Sequence, residues 1–249
     1  MSQTTTDRLN YHGTHRDNVL CRSSRLVRHR LESIRSHLDF RGKSVLDLGC
    51  SGGYFSLNIA SEAKQVLGVD GDAEVIRQNV ALASEKGIRN VKFLEASLTR
   101  QFISDLPEYD IVLFLSVFHH MLGASDAYDW NSESLRSEAF DTLGEIRKKA
   151  RVLVFEMGYP DEGYDWSTKL PPMVPDPVSW IIANIFGEDF SVQVISPPAL
   201  RGPLGSARRW LLDKQESGGL RWRILRRIFH VDVRDKRHLF IGLKKIRES

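Results

Sequence analysis

The chain is predicted to be an α/β protein: a doubly wound, mostly parallel seven-stranded sheet with an N-terminal helical lid and a basic helical insertion before the last strand. Three observations predict it. Between Lys43 and Phe155, short β-rich runs alternate with helical stretches. The first run breaks into glycines and then into a helix. Two further β-rich runs, far apart in sequence, close the chain.

In order, "RLVRHRLESIRSHL" places Leu26, Leu31, Ile34 and Leu38 on one side of a helix. The runs "KSVLDLG", "KQVLGVD", "VKFLEAS", "DIVLFLS" and "RVLVFEM" are apolar with little alternation, as expected of strands buried on both faces. Between them lie "YFSLNIASEA", "AEVIRQNVALASEKG" and "SESLRSEAFDTLGEIRKKA". Gly87 sits where the second should end, and Leu135, Ala139, Leu143 and Ile146 share one face of the third. Strand, helix, strand repeated in this way implies parallel pairing with right-handed crossovers. After residue 156 the rhythm changes: "GYPDEGYDWSTKLPPMVPDP" holds four of the nine prolines before Pro177 and has no period, so it reads as a long loop. Asp176 followed by Pro177 signals a helix start, and "VSWIIANIF" runs to Gly187. The last two strands are "FSVQVIS" and "RHLFIGLKK", too far apart for a tight hairpin.

With 249 residues, 41% apolar and 27% charged, the composition is that of a soluble globular protein with one sizeable core. The expectation is a single domain, 1–249, made of a helical lid (1–40), a cofactor-binding core (41–157) and a segment 158–249 carrying an acceptor-side loop, basic insertion and closing strands. No uninterrupted apolar stretch approaches ~20 residues, and "MSQTTTDRLN" lacks the apolar centre of a signal peptide. A cytoplasmic protein is expected. Cys21 and Cys50 have no His or Cys at metal-ligand spacing beside them and read as free thiols. The acids around Asp126 and Asp129 form no full ligand set, so no metal site is assigned.

The net charge of +3 hides an asymmetry. Residues 41–196 carry 14 basic against 23 acidic side chains, whereas residues 197–249 carry 14 against 5. Attraction to an anionic partner should therefore come from the ends.

The run "VLDLGCSGGYF" poses the functional question. A strand that enters a glycine-rich turn and then a helix gathers backbone N–H groups and a helix N-terminus around a ligand, with no side chains in the way. The usual dinucleotide fingerprint carries no acid inside the turn, whereas Asp47 precedes Gly49, Ser51 and Gly53 here. A carboxylate repels a pyrophosphate and suits a cation. The second strand ends at Asp70, 23 residues after Asp47, a spacing that suits a carboxylate binding ribose hydroxyls. Together the acids ask for an adenosine with a positively charged tail and no phosphates, which describes S-adenosylmethionine. A dehydrogenase of the same fold is the rival, and Asp47 argues against it.

At these residues the chain resembles the class I S-adenosylmethionine-dependent methyltransferases, over roughly residues 43–157. The resemblance implies that Asp47, Gly49, Cys50, Ser51 and Gly53 approach the methionine part of the cofactor. It further implies that Asp70 and Gly71 approach the ribose, Ser97 the adenine, and Leu115 with Ser116 the cofactor's side at the end of the fourth strand. Ser51 stands where the family usually has glycine, and Ser97 where it often has aspartate.

Chemistry in such a fold gathers at strand C-terminal ends, where the chain reads "VFHHM" and "MGYP". A histidine, with a pKa near ~6.5, suits a general base. His119 and His120 are the candidates, at most one facing the substrate because adjacent side chains diverge. Glu156 could orient a histidine or bind a substrate hydroxyl. Tyr159, Tyr164 and Trp166 are assigned to the acceptor pocket, since aromatic rings stack on sugars and bases. The layout is similar to methyltransferase domains acting on bacterial cell-surface polysaccharides or sugar phosphates, and more loosely to enzymes that modify RNA ends. Oxygen is the expected acceptor atom.

"GLRWRILRRIF" combines an apolar face with Arg221, Arg223, Arg226 and Arg227. Arginine binds phosphate bidentately, so Arg223 is assigned to substrate. The expected acceptor is a small molecule or glycan, phosphorylated or not. RNA ranks second, a peripheral contact with an anionic membrane is admitted, and a non-catalytic cofactor-binding scaffold is the further alternative.

Overall fold

The structure, a computed structural model, describes residues 22–122, 131–157, 176–195 and 238–246. Helix α1 spans Arg22–Arg35, followed by β1 (Ser44–Leu48), α2 (Tyr54–Ile59), β2 (Gln65–Asp70), α3 (Ala73–Glu85), β3 (Val91–Glu95), α4 (Arg100–Asp105) and β4 (Tyr109–Leu115). A 3₁₀ turn, Phe118–Leu122, precedes α5 (Glu133–Lys149) and β5 (Ala150–Glu156). Helix α6 (Pro177–Ile181) runs into a π-helical turn at Ile182–Phe186, and β6 (Phe190–Ile195) and β7 (Leu239–Lys244) complete the set. The seven strands lie in the order β3-β2-β1-β4-β5-β7-β6. β1 pairs in parallel with β2 and with β4, β2 with β3 in parallel, and β6 with β7 antiparallel. The sheet is mostly parallel, as the alternation of elements predicts.

The chain forms two compact units: one built from residues up to Leu115 together with Phe140–Val154, the other from Ser116–Ala139 and from Phe155 onward. In the first, Val45, Leu46, Leu48 and Ile111 to Phe114 are all buried, as strands covered on both faces require. β3 differs from the expectation. Only Val91 of its five residues is buried, and Leu94 is 41% exposed. Among the described residues it is an edge strand paired with β2 alone, and its exposed Lys92 and Glu95 are the charges with which edges resist further pairing. Helix α1 buries Leu31 and Ile34 and ends at Arg35, so Leu38, expected on the same helical side, lies beyond it and is half-buried. Arg35 ties it to the rest by donating to the Asn58 carbonyl at 2.9 Å and pairing with Glu62 at 2.6 Å.

Asp72 caps α3, its Oδ1 accepting from the N–H groups of Glu74 at 3.0 Å and Val75 at 3.2 Å. Gly87, at φ 66°, ends the helix in the left-handed conformation that glycine adopts freely. Helix α4 was absent from the sequence expectation. Its signal was Thr99, whose hydroxyl accepts from the Phe102 N–H at 3.2 Å, and Ile103, which is buried. Six residues are too few to display a period.

In the second unit the core is aromatic: Phe155 lies 6.2 Å from Phe186 and 6.5 Å from Phe240, ring centre to ring centre, and Phe118 lies 6.4 Å from Phe155. Asp176 caps α6 as its sequence predicts, accepting from Val178 at 3.1 Å and Ser179 at 3.2 Å. Gly242 admits the Phe186 ring; a Cβ there would stand 2.5 Å from Phe186 Cδ1.

Candidate functional site

The chain goes outward from β1 to β2 and β3, then returns to the other side of β1 as β4. This reversal is the switch point at which open α/β sheets bind ligands beyond their strand C-termini. The loop that leaves β1 there is the glycine turn. Gly49 (φ 68°), Ser51 (φ 44°) and Gly53 (φ 71°) are all left-handed. Glycine enters this region freely, whereas serine at such a φ costs ~1–3 kcal/mol and must be held by its surroundings. Both sides of Ser51 are held: its N–H donates to Asp70 Oδ2 at 2.8 Å, and its carbonyl accepts from Asn79 Nδ2 at 2.7 Å. Cys50 N–H donates to the Val69 carbonyl and Gly53 N–H to the Cys50 carbonyl, each at 2.9 Å.

Beneath the turn, Asp47 is 3% exposed and accepts a hydrogen bond from Ser56 Oγ at 2.7 Å. Burial pushes its pKa up to about 6; the Ser56 hydrogen bonds oppose this and the charge of Asp70 adds to it. Asp47 is opposite Gly68 in the β1–β2 register. A Cβ at Gly68 would come within 2.7 Å of Phe93 Cδ1 and 2.9 Å of Ser56 Oγ, so the glycine makes room for the hydroxyl that binds Asp47. Asp70, half-buried, also accepts from Asp72 N–H at 3.0 Å through Oδ1. Each carboxylate oxygen keeps a further lone pair, so the side chain braces the turn and can still receive hydroxyl donors. Cys50 is buried, and burial first, then Asp47 and Asp70, pushes its thiol well up, which makes it a packing group without thiolate character.

Gly71 and Ser97 are exposed, and the β3 end is tied to Asp70 by the Ala96 N–H at 3.0 Å from its carbonyl. Leu115, half-buried, follows Phe114, which pairs with Leu48 of β1, so it ends its strand beside the turn. At the opposite end of β4, Asp110 accepts from both the N–H and the hydroxyl of Ser44 at 2.9 Å, bonds that hold its carboxyl below the usual range.

In the second unit, Ser116 is left-handed at φ 59°. Its N–H donates to the Glu156 carbonyl at 2.8 Å and its hydroxyl to Glu156 Oε1 at 2.7 Å. Glu156 is 2% exposed. The expectation that the two histidines diverge is corrected: their ring centres lie 4.2 Å apart at 39°. A 3₁₀ turn separates successive side chains by about 120°, and two rings can still meet when both lean the same way. His119 is buried and His120 exposed. Tyr159, Tyr164, Trp166 and Arg223 lie outside the described residues, as do Asp126 and Asp129. Among the described residues no cluster of His, Cys, Asp and Glu is arranged to hold a metal, and no helix is long and apolar enough to cross a membrane.

Sequence reasoning missed Ser56, Gly68 and Asn79. Only Gly68 left a signal, a lone glycine inside a strand; Ser56 and Asn79 stand out only in the structure, as polar residues buried on α2 and α3.

A parallel sheet with its switch point at an acid-flanked glycine turn is the architecture of the class I S-adenosylmethionine-dependent methyltransferases, and this chain has that architecture and carries a methyltransferase domain. Residues 45–136 match the family described as "Methyltransferase domain". The chain is similar to the O-antigen chain terminator bifunctional methyltransferase/kinase WbdD of Escherichia coli, with 29% identity over 133 residues, 53% of this chain and 17% of that protein. A crystal structure of WbdD shares the fold at a TM-score of 0.55 and 20% identity, over 91% of this chain and 40% of the other. The 23S rRNA (uracil(1939)-C(5))-methyltransferase RlmD of Vibrio campbellii is 48% identical over 58 residues, 23% of this chain and 13% of that protein. The ubiquinone biosynthesis O-methyltransferase of Erwinia tasmaniensis is 31% identical over 93 residues, 37% of this chain and 38% of that protein. The chain thus spans well under half the length of each curated relative.

Proposed function

We propose that this protein transfers a methyl group to oxygen on a glycan, a sugar phosphate or a related small molecule. The observation that carries the reading is the left-handed turn Gly49–Gly53, braced by Asp70 and set above the buried Asp47. The residues fit S-adenosylmethionine: a turn of glycines and small side chains that leaves room for the ligand, one carboxylate with lone pairs for ribose hydroxyls, and one buried carboxyl that a cation would return to its charged form. When bound, S-adenosylmethionine supplies a sulfonium-activated methyl carbon. Asp47, Gly49, Cys50, Ser51 and Gly53 are assigned to its methionine part, Asp70 and Gly71 to the ribose, and Ser97 to the adenine. Leu115 and Ser116 complete the set.

Methyl transfer is an in-line displacement, and most of the rate comes from alignment. A hydroxyl acceptor also gains from a base that takes its proton. His119 and His120 are proposed for that proton and Glu156, held by Ser116, for orientation. Tyr159, Tyr164, Trp166 and Arg223 are proposed to face the acceptor. The glycan reading is supported by the similarity to WbdD, whose name places it at the end of an O-antigen chain.

Calorimetry with S-adenosylmethionine on the parent, Asp70→Ala and Gly49→Val tests the cofactor half. Micromolar binding lost in both variants is expected, and no binding by the folded parent would refute it. Labelled-methyl transfer to lipopolysaccharide glycans, sugar phosphates and RNA then tests the acceptor. Label in RNA, with binding that weakens steeply with salt and is lost on charge reversal at Arg223, Arg226 and Arg227, would replace the glycan reading.

A further inference from the structure

We propose that Asn79 is a positioning residue for the glycine turn: its side-chain amide holds Ser51 in the left-handed conformation in which the turn receives the cofactor. The inference rests on the turn being the cofactor site and names the residue that shapes it.

Asn79 lies on α3, 28 positions from Ser51 in sequence, and is fully buried. Its side chain lies against Cys50, Ser51 and Gly53 of the turn. Nδ2 donates to the Ser51 carbonyl at 2.7 Å and stands 4.0 Å from Cys50 Sγ. A Cβ on Gly53 would fall 3.0 Å from its Cγ and Oδ1 and 3.1 Å from its Nδ2, so the flat amide fills the space that the glycine leaves. With Asp70 on the N–H of Ser51 and Asn79 on its carbonyl, both peptide planes flanking a left-handed serine are fixed.

Packing alone does not account for this residue. Asn79 Oδ1 is buried and accepts no hydrogen bond from the described residues. A buried acceptor without a donor is costly, and an apolar side chain of similar size would avoid that cost. What an apolar side chain lacks is the donor to Ser51. Where the family usually has glycine, the chain here has a residue that resists φ 44°, and the amide supplies from outside the constraint that glycine does not need.

A thermodynamic cycle on S-adenosylmethionine affinity separates positioning from mere packing. Asn79→Ala is expected to weaken binding at least about tenfold in the parent and less than about threefold in the Ser51→Gly background, because a glycine adopts the turn without the brace. A purely structural role would lower the thermal midpoint in both backgrounds and weaken binding equally in both. Should Asn79→Ala fail to fold, Asn79→Asp keeps the size, replaces the donor by an oxygen and is expected to show the same rescue. Equal weakening in the two backgrounds, or undiminished binding by the single variant, overturns the inference while leaving the cofactor reading intact. Absence of binding by the folded parent overturns both.

Discussion

Replacing Asp47 by asparagine should stabilise the ligand-free protein above pH 6 while weakening its hold on a cationic cofactor. The carboxyl is 3% exposed, and burial moves its pKa from an ordinary 3.8 to about 6. At ~1.4 kcal/mol per pH unit, ionising it in the folded chain costs ~3 kcal/mol relative to the unfolded chain. The sign follows from proton counts. Between these two values the folded protein holds more protons than the unfolded one, so stability is full below about pH 4, falls as the pH rises to 6, and then levels. Asparagine has nearly the same shape, and its Oδ1 can still accept from Ser56 Oγ, which lies 2.7 Å from the carboxylate in the parent. Urea denaturation of both chains without ligand, from pH 4 to 8, isolates the residue because all other titrations cancel in the difference. The variant should gain on the parent across pH 4–6 by up to ~3 kcal/mol, or roughly 6–12 °C in Tm for a chain of this size. A difference that does not change with pH, or a parent that gains on the variant as pH rises, would refute the reasoning.

Gly68→Ala should cost ~1–3 kcal/mol by overpacking, since its Cβ would meet Phe93 Cδ1 at 2.7 Å and Ser56 Oγ at 2.9 Å; urea midpoints check it. Asp110→Asn keeps an accepting oxygen but removes the charge that strengthens two Ser44 hydrogen bonds, and should cost ~1 kcal/mol at pH 7. Because those bonds lower the Asp110 pKa, its contribution is full above the ordinary carboxylate value of 3.8 and lost on acidification below it, so the two chains should converge as the pH is taken well below 3.8. Glu156→Gln, if Glu156 orients the base, should slow methyl transfer by about a hundredfold with cofactor affinity changed less than about threefold. Rapid-quench and calorimetric measurements on the same preparation separate the two effects.

The order of elements was legible in the sequence because it depends on local periodicity and turn chemistry. Asp176 and Pro177 marked a helix start, Gly87 a helix end, and "VLDLGCSGG" a strand entering a turn, each within a few neighbouring residues. The acids Asp47 and Asp70 were legible for the same reason, as residues at strand ends spaced by one crossover. What lies under the turn was not. Asn79 and Ser56 look like ordinary polar helix residues until α3 and α2 fold back onto β1 and β2, when one binds Ser51 and the other Asp47. The exposure of β3, the tilted approach of the His119 and His120 rings, and the strain at Ser51 and Ser116 likewise depend on surroundings that no local pattern names. By itself the sequence determined the order of the elements, the short helix α4 excepted, and where the glycine turn falls. Tertiary structure alone decided which polar side chains support that turn, because a buried hydrogen bond is chosen by partners far away along the chain.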